Sequence, residues 1–112
     1  MATSGNGFED RDHKEWLIGH FRGEGHPLYS PDVEIKWQTA PKGLAREEWV
    51  TGETRTAISF LFSGKWELEF CDRKVVLQEP GDYAMWGPGE DHRWRALENS
   101  LVVTVRWPSR TS

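Results

Sequence analysis

His92 is the side chain in this sequence best placed for proton or metal chemistry. It follows the loop Gly87-Pro88-Gly89-Glu90-Asp91 and opens an alternating stretch, His92-Arg93-Trp94-Arg95-Ala96. An imidazole there can act as a general base, ligate a divalent cation, or simply be a satisfied polar group at the mouth of a fold. Glu53 is the carboxylate that could partner it, as proton acceptor or substitute ligand, while His20 and His26 lack the spacing of a ligand pair. If the segment is extended, Trp94 and Ala96 share the face of His92, and Arg93 and Arg95 point the other way. Trp94 then joins Trp49, Tyr83 and Trp86 as candidate pocket aromatics, with Thr51 and Arg55 as polar members. Indoles with a few polar groups suit a flat or sugar-like organic ligand. The same rings could instead fill a core: seven Trp, five Phe and two Tyr stand in a chain of 112 residues that is only 37% apolar. Each buried aromatic removes about 150–250 Å² from water, which makes good the shortage of aliphatic side chains.

Other chemistry is poorly supplied. Arg55 and Arg106 sit in stretches that read as strands, where an inward Arg could grip a carboxylate bidentately or an outward one could pair with Glu67 or Glu69. Glu47 and Glu48 are adjacent, so on a strand they face opposite sides and cannot easily serve one site. Cys71 is the single cysteine; it excludes an intrachain disulfide and paired-thiol zinc sites, and suits a reducing cytoplasm. There is no Ser-x-x-Lys, Gly-x-Ser-x-Gly or Gly-rich phosphate loop. With 14 Lys plus Arg against 18 Asp plus Glu, the net charge of −4 argues against nucleic acid or an anionic membrane as partner. Apolar runs are short and the start is polar, so neither a spanning helix nor a secretion signal is expected.

The elements that must position these residues are strands. Residues 1–11 are Gly, Ser, Thr, Asn and acidic side chains without period, expected as a mobile tail, with one domain over 12–112. Trp16 to Phe21 is a short β-like run, and Val33-Glu34-Ile35-Lys36-Trp37 alternates as a strand with one face buried. Arg46 to Thr56 favours extended backbone. Ala57 to Phe62, the turn Ser63-Gly64, and Lys65 to Phe70, with Trp66, Leu68 and Phe70 on one face, predict a hairpin. Val75 to Leu77, Tyr83 to Trp86, His92 to Ala96 and Leu101 to Trp107 complete about eight or nine short strands between Gly/Pro turns. That spacing, without helical periodicity, predicts an all-β sandwich or barrel.

The stretch Gly81-Asp82-Tyr83-Ala84-Met85-Trp86-Gly87-Pro88-Gly89-Glu90-Asp91-His92 resembles the second motif of the cupins, with the proline displaced by one residue. Gly64 resembles the glycine that ends their first motif. The likeness covers roughly residues 33–107, and is closest to small stand-alone bacterial cupins. It implies a jelly-roll barrel, the double-stranded β-helix. Metal-binding cupins carry two His and a Glu in the first motif. Counting back from Gly64 puts the Glu on Ala57 and the His pair on Val50 and Gly52, or on Thr51 and Glu53. Of the four usual ligands only His92 is in place, and one imidazole does not hold a divalent cation.

Three readings follow. In the first, a small organic molecule binds in an aromatic barrel pocket with no metal or other cofactor. In the second, an isomerase, lyase or oxygenase of the kind found among cupins uses His92 as base or ligand, with Glu53 as partner. In the third, a barrel edge mediates homodimerisation.

Overall fold

A computed structural model describes residues 2–11 and 14–110. Among them run eight strands: β1 (Trp16–Ile18), β2 (Glu34–Ala40), β3 (Thr56–Ser63), β4 (Trp66–Phe70), β5 (Lys74–Leu77), β6 (Tyr83–Trp86), β7 (His92–Ala96) and β8 (Ser100–Trp107). Each corresponds to a stretch whose alternation or β-branched content predicts it. They form two antiparallel sheets, ordered β1-β2-β8-β3-β6 and β5-β4-β7. The fold is the all-β cupin barrel, with the double-stranded β-helix closed by side chains from both sheets.

The polar segment 43–50 runs along the free side of β7. Val50 N–H donates to His92 O at 2.7 Å, Arg46 N–H to Trp94 O at 2.9 Å and Gly43 N–H to Ala96 O at 2.8 Å. It pairs with β7 through isolated bridges at Ala45 and Val50 rather than a continuous ladder. At the other end of the chain, Asn6 caps a single helical turn, Gly7–Asp10. Phe8 from this turn meets the outer side of β2, its ring 5.7 Å from that of Trp37. Met1 lies outside the described residues.

Two local expectations are corrected. β3 and β4 do not form a hairpin: β3 is flanked by β8 and β6, while β4 lies in the other sheet between β5 and β7. Both edges of β3 are thus already occupied, and the long β3–β8 ladder brings Leu61 and Val102, each 0% exposed, side by side in the core. Gly64 accordingly passes the chain between sheets. Its φ is +95°, and a Cβ there would lie 2.3 Å from the carbonyl oxygen of Asn99.

The second correction is the pleat of β2. Its buried positions are the polar Glu34 (2% exposed) and Gln38 (5%) together with Ala40 (3%), whereas Ile35 and Trp37 are half-buried on the other side. The inward rows across the large sheet explain this. Glu34, Arg106, Ala57 and Trp86 form one row; Lys36, Thr104, Ser59 and Ala84 the next; Gln38, Val102 and Leu61 the third. The barrel is therefore polar toward one end and apolar toward the other.

Gly64→Ala is expected to cost about 2–5 kcal/mol in denaturant unfolding, combining left-handed strain with backbone overlap. Gly81→Ala, at φ +96° but with nothing within 4 Å of the added methyl, should cost only about 1–2 kcal/mol. Equal losses would show that the Asn99 approach carries no weight.

Candidate functional site

The polar end of the barrel holds a cavity of about 250 Å³. One wall is aromatic and comes from the small sheet. Trp66 stacks on Trp94 with centroids 4.6 Å apart and planes 19° from parallel. His92 packs 4.7 Å from Trp86, which reaches across from β6. The opposite wall, from the large sheet, carries Ala57, Lys36, Arg106 and the hydroxyls of Ser59 and Thr104, which lie 2.6 Å apart. Trp16, Lys14, Arg46 and Val50 complete the lining with Glu53.

Backbone bonds bring His92 and Glu53 to the same mouth. The His92 N–H donates to Val50 O at 3.2 Å, and the Gly89 N–H donates to Glu53 O at 2.9 Å. The Glu53 carboxylate is heavily engaged. It accepts from Thr54 N–H at 2.9 Å and Arg55 N–H at 3.0 Å. Its Oε2 lies 3.1 Å from Arg55 Nη1 and 3.7 Å from Arg106 Nη1. Burial alone would raise this carboxyl, but the Arg55 and Thr54 amides and both guanidiniums outweigh it and hold it below the usual carboxylate range. Such a group stays ionised and is a poor proton acceptor.

His92 behaves oppositely. Burial lowers its pKa, with the nearby Arg46 and Arg106 adding to the effect against the Glu90 backbone and Glu53. The ring is therefore held neutral. Its Nδ1 is buried without a hydrogen-bond partner, and so are Nε1 of Trp66 and of Trp86. All three residues line the cavity. Buried polar nitrogens are ordinarily satisfied; among the described residues Nε1 of Trp37 is a fourth without a partner, and Trp37 does not line the cavity.

Charge at the site is one-sided: Lys14, Lys36, Arg46 and Arg106 against Glu53. Arg106 is also bound by the buried carboxylate of Glu34, and its guanidinium lies 4.1 Å from the centre of the Trp16 ring.

Of the residues singled out in the sequence, Glu53, Trp86, His92 and Trp94 line the cavity. Arg55 stands behind Glu53, donating to Pro108 O at 2.9 Å and Ser109 O at 2.8 Å. Arg55 and Arg106 thus turn toward Glu53 rather than Glu67 or Glu69, and Glu69 pairs instead with Arg93 at 2.9 Å. Three positions are corrected. Tyr83 is 62% exposed, because the pleat of β6 turns Ala84 and Trp86 inward and Tyr83 and Met85 outward. Trp49 lies under the guanidinium of the outward Arg93, 4.5 Å away. Thr51 is exposed on the connecting loop and does not reach the cavity. Sequence reasoning missed Lys36, Ser59, Thr104 and Trp66 as lining residues. The polar residues of β2 were the available signal for Lys36, once an inward polar face was considered.

The metal-binding cupins raise the question of a cation at His92. Among the described residues, no three of His, Cys, Asp and Glu are grouped so as to share one. The rings of Trp86 and Phe70 flank His92, and Glu53 is taken up by arginines. These side chains do not fit the metal centre of the metal-binding cupins.

No family model matches the sequence, and neither does any curated protein. Solved structures do. The chain is similar to KdgF from Halomonas sp., with 26% identity over 70% of this chain and 71% of that one and a TM-score of 0.64. It is similar to a cupin superfamily protein from Desulfitobacterium hafniense DCB-2, with 17% identity, coverage of 70% and 69%, and a TM-score of 0.63. DMSP lyase DddQ from Ruegeria pomeroyi DSS-3 shows 25% identity over 94% of this chain, which spans 50% of that lyase, with a TM-score of 0.66. The motif around His92, the two facing sheets and these likenesses agree on one architecture, and the chain has the fold of the cupin superfamily.

Proposed function

We propose that the chain binds a small organic anion in the barrel, without a metal. Its charged group lies toward Lys36, Arg46 and Arg106, and its flat or apolar body lies between Trp86 and the Trp66–Trp94 stack. The observation that carries this reading is an aromatic-walled cavity lined by Lys14, Lys36, Arg46 and Arg106, whose one carboxylate, Glu53, is already held by arginines. Indole faces supply apolar area. Guanidinium and ammonium groups supply attraction for a carboxylate or similar oxyanion.

A second reading has one observation in its favour. An imidazole that lines a cavity and whose protonation burial disfavours is a candidate proton acceptor, and one structural neighbour is a lyase. On that reading His92 takes a proton from the bound molecule, while Glu53, held ionised between arginines, only positions charge.

Titration of small carboxylic acids against the intrinsic tryptophan fluorescence tests the first reading. Trp94→Ala is expected to weaken binding about tenfold or more, and Arg46→Gln, at the exposed mouth, by roughly 2–5-fold. Neutral amides of the same acids should bind more weakly than the acids. Indifference to ligand charge would sink the anion assignment. Elemental mass spectrometry on protein purified without chelator should find well under one metal per chain, and one bound equivalent would overturn the metal-free part. His92→Gln should retain binding, and if the second reading holds it abolishes turnover.

Stability should also respond to pH. The folded imidazole resists protonation, so below the usual value near 6.5 the unfolded chain binds a proton that the folded chain does not. Unfolding free energy is therefore expected to fall as pH drops from about 7, and His92→Phe should flatten that slope. An unchanged slope in the variant would assign the dependence to other groups.

A further inference from the structure

We infer that Lys36 is a nucleophilic amine that forms an imine with the carbonyl group of an oxo acid bound in the barrel. The inference rests on the anion-binding reading and names the substrate class. β2 sends Lys36 inward, opposite Thr104 on β8, which in turn lies opposite Ser59 on β3. The amine therefore belongs to the same inward row as the hydroxyl pair and lines the cavity with it.

Among the described residues, the three carboxylates nearest in the fold to Lys36 each have another cation or donor. Glu34 is bound by Arg106 and by Ser109 Oγ at 2.8 Å. Glu53 is bound by Arg55 and Arg106. Glu15 pairs with Arg11 at 2.8 Å and accepts from Thr39 N–H at 3.0 Å. Lys36 instead lies with its Nζ 5.7 Å from the centre of the Trp16 ring, the ring that also carries the Arg106 guanidinium. The Lys36 amine and the Arg106 guanidinium thus share one indole beside a cavity.

Burial lowers the pKa of the Lys36 ammonium. Glu15 opposes the shift, while Arg106, Arg46 and Lys14 reinforce it. A lysine desolvated beside other cations is the physical requirement for a free amine near neutral pH. Arg46 and Arg106, holding the carboxylate, would place an adjacent carbonyl within the amine's reach.

The step balances without any oxidant or reductant. The Nζ lone pair forms a C–N bond to the carbonyl carbon as the C=O π pair moves to oxygen, and a proton passes from nitrogen to that oxygen. The carbinolamine then loses the oxygen as water, which takes the second amine hydrogen, leaving C=N. Ser59, Thr104 and the neutral His92 are the cavity groups able to carry the protons.

The test treats the full chain with pyruvate and sodium cyanoborohydride at pH 7, followed by intact mass and peptide mapping, with tryptophan fluorescence recorded in parallel. The expected result is one reduced pyruvate adduct per chain, on Lys36. Its labelling should run several-fold faster than that of Lys42, Lys65 and Lys74, and the advantage should shrink as pH rises toward the ordinary lysine range. Lys36→Arg, checked for folding by circular dichroism, should lose the adduct. Equal labelling of all five lysines, labelling centred on Lys14, or an adduct surviving in Lys36→Arg would overturn the inference. Fluorescence quenching by pyruvate without trapping overturns it while leaving anion binding intact. Neither quenching nor trapping counts against both for this acid.

Discussion

The buried Glu34 carboxylate is the interaction on which the polar half of the barrel depends. An ionised carboxylate that is 2% exposed cannot persist without partners, since an unpaired buried charge costs several kcal/mol. Arg106 supplies the charge and Ser109 a hydroxyl donor. Arg106 faces Glu34 directly across the β2–β8 ladder, so satisfying the carboxylate also holds the register of the two strands. Ser109 belongs to the segment after β8, which Arg55 binds through two carbonyls. His20, which donates its N–H to Ser109 Oγ at 2.9 Å, ties the turn after β1 to the same place. One buried charge thereby gathers four parts of the chain and leaves Arg106 aimed at the cavity.

The two sheets divide the work of the site. The small sheet alternates cleanly, with Trp66, Leu68 and Phe70 inward and Glu67 and Glu69 outward, and it builds an apolar wall by ordinary hydrophobic patterning. The large sheet builds the polar wall, where inward hydroxyls and cations replace aliphatic side chains. Such a wall contributes little apolar burial, so the third row, with Leu61 and Val102, and the apolar face of the small sheet must stabilise the fold.

This division explains what the sequence reveals. Period-two alternation locates the strands because it reflects the pleat, and the Gly-Pro loop before His92 carries the family likeness. Alternation does not say which face turns inward, and around a polar cavity the usual assumption fails: Glu34 and Lys36 point in while Ile35 and Trp37 lie outside. Tyr83 and Trp86 look equivalent as aromatic residues three apart, yet odd spacing on a strand places them on opposite faces. The supposed hairpin at Gly64 failed because a turn signal marks a reversal without naming the sheet that receives the next strand. Lys36 could not be singled out because its isolation depends on Glu15, Glu34 and Glu53 each finding another cation, which is a property of the folded arrangement.

The boundaries of the sheets bear on how the molecule meets its own copies. The large sheet ends in β1, of three residues, and β6, of four. On the small sheet, β7 is covered by segment 43–50, leaving β5, also four residues long, as the open side. Open strands this short present few unpaired amides and carbonyls to another backbone. A barrel bounded in this way offers little template for cross-β growth, even though its outer surface displays aromatic and thioether side chains such as Tyr83 and Met85.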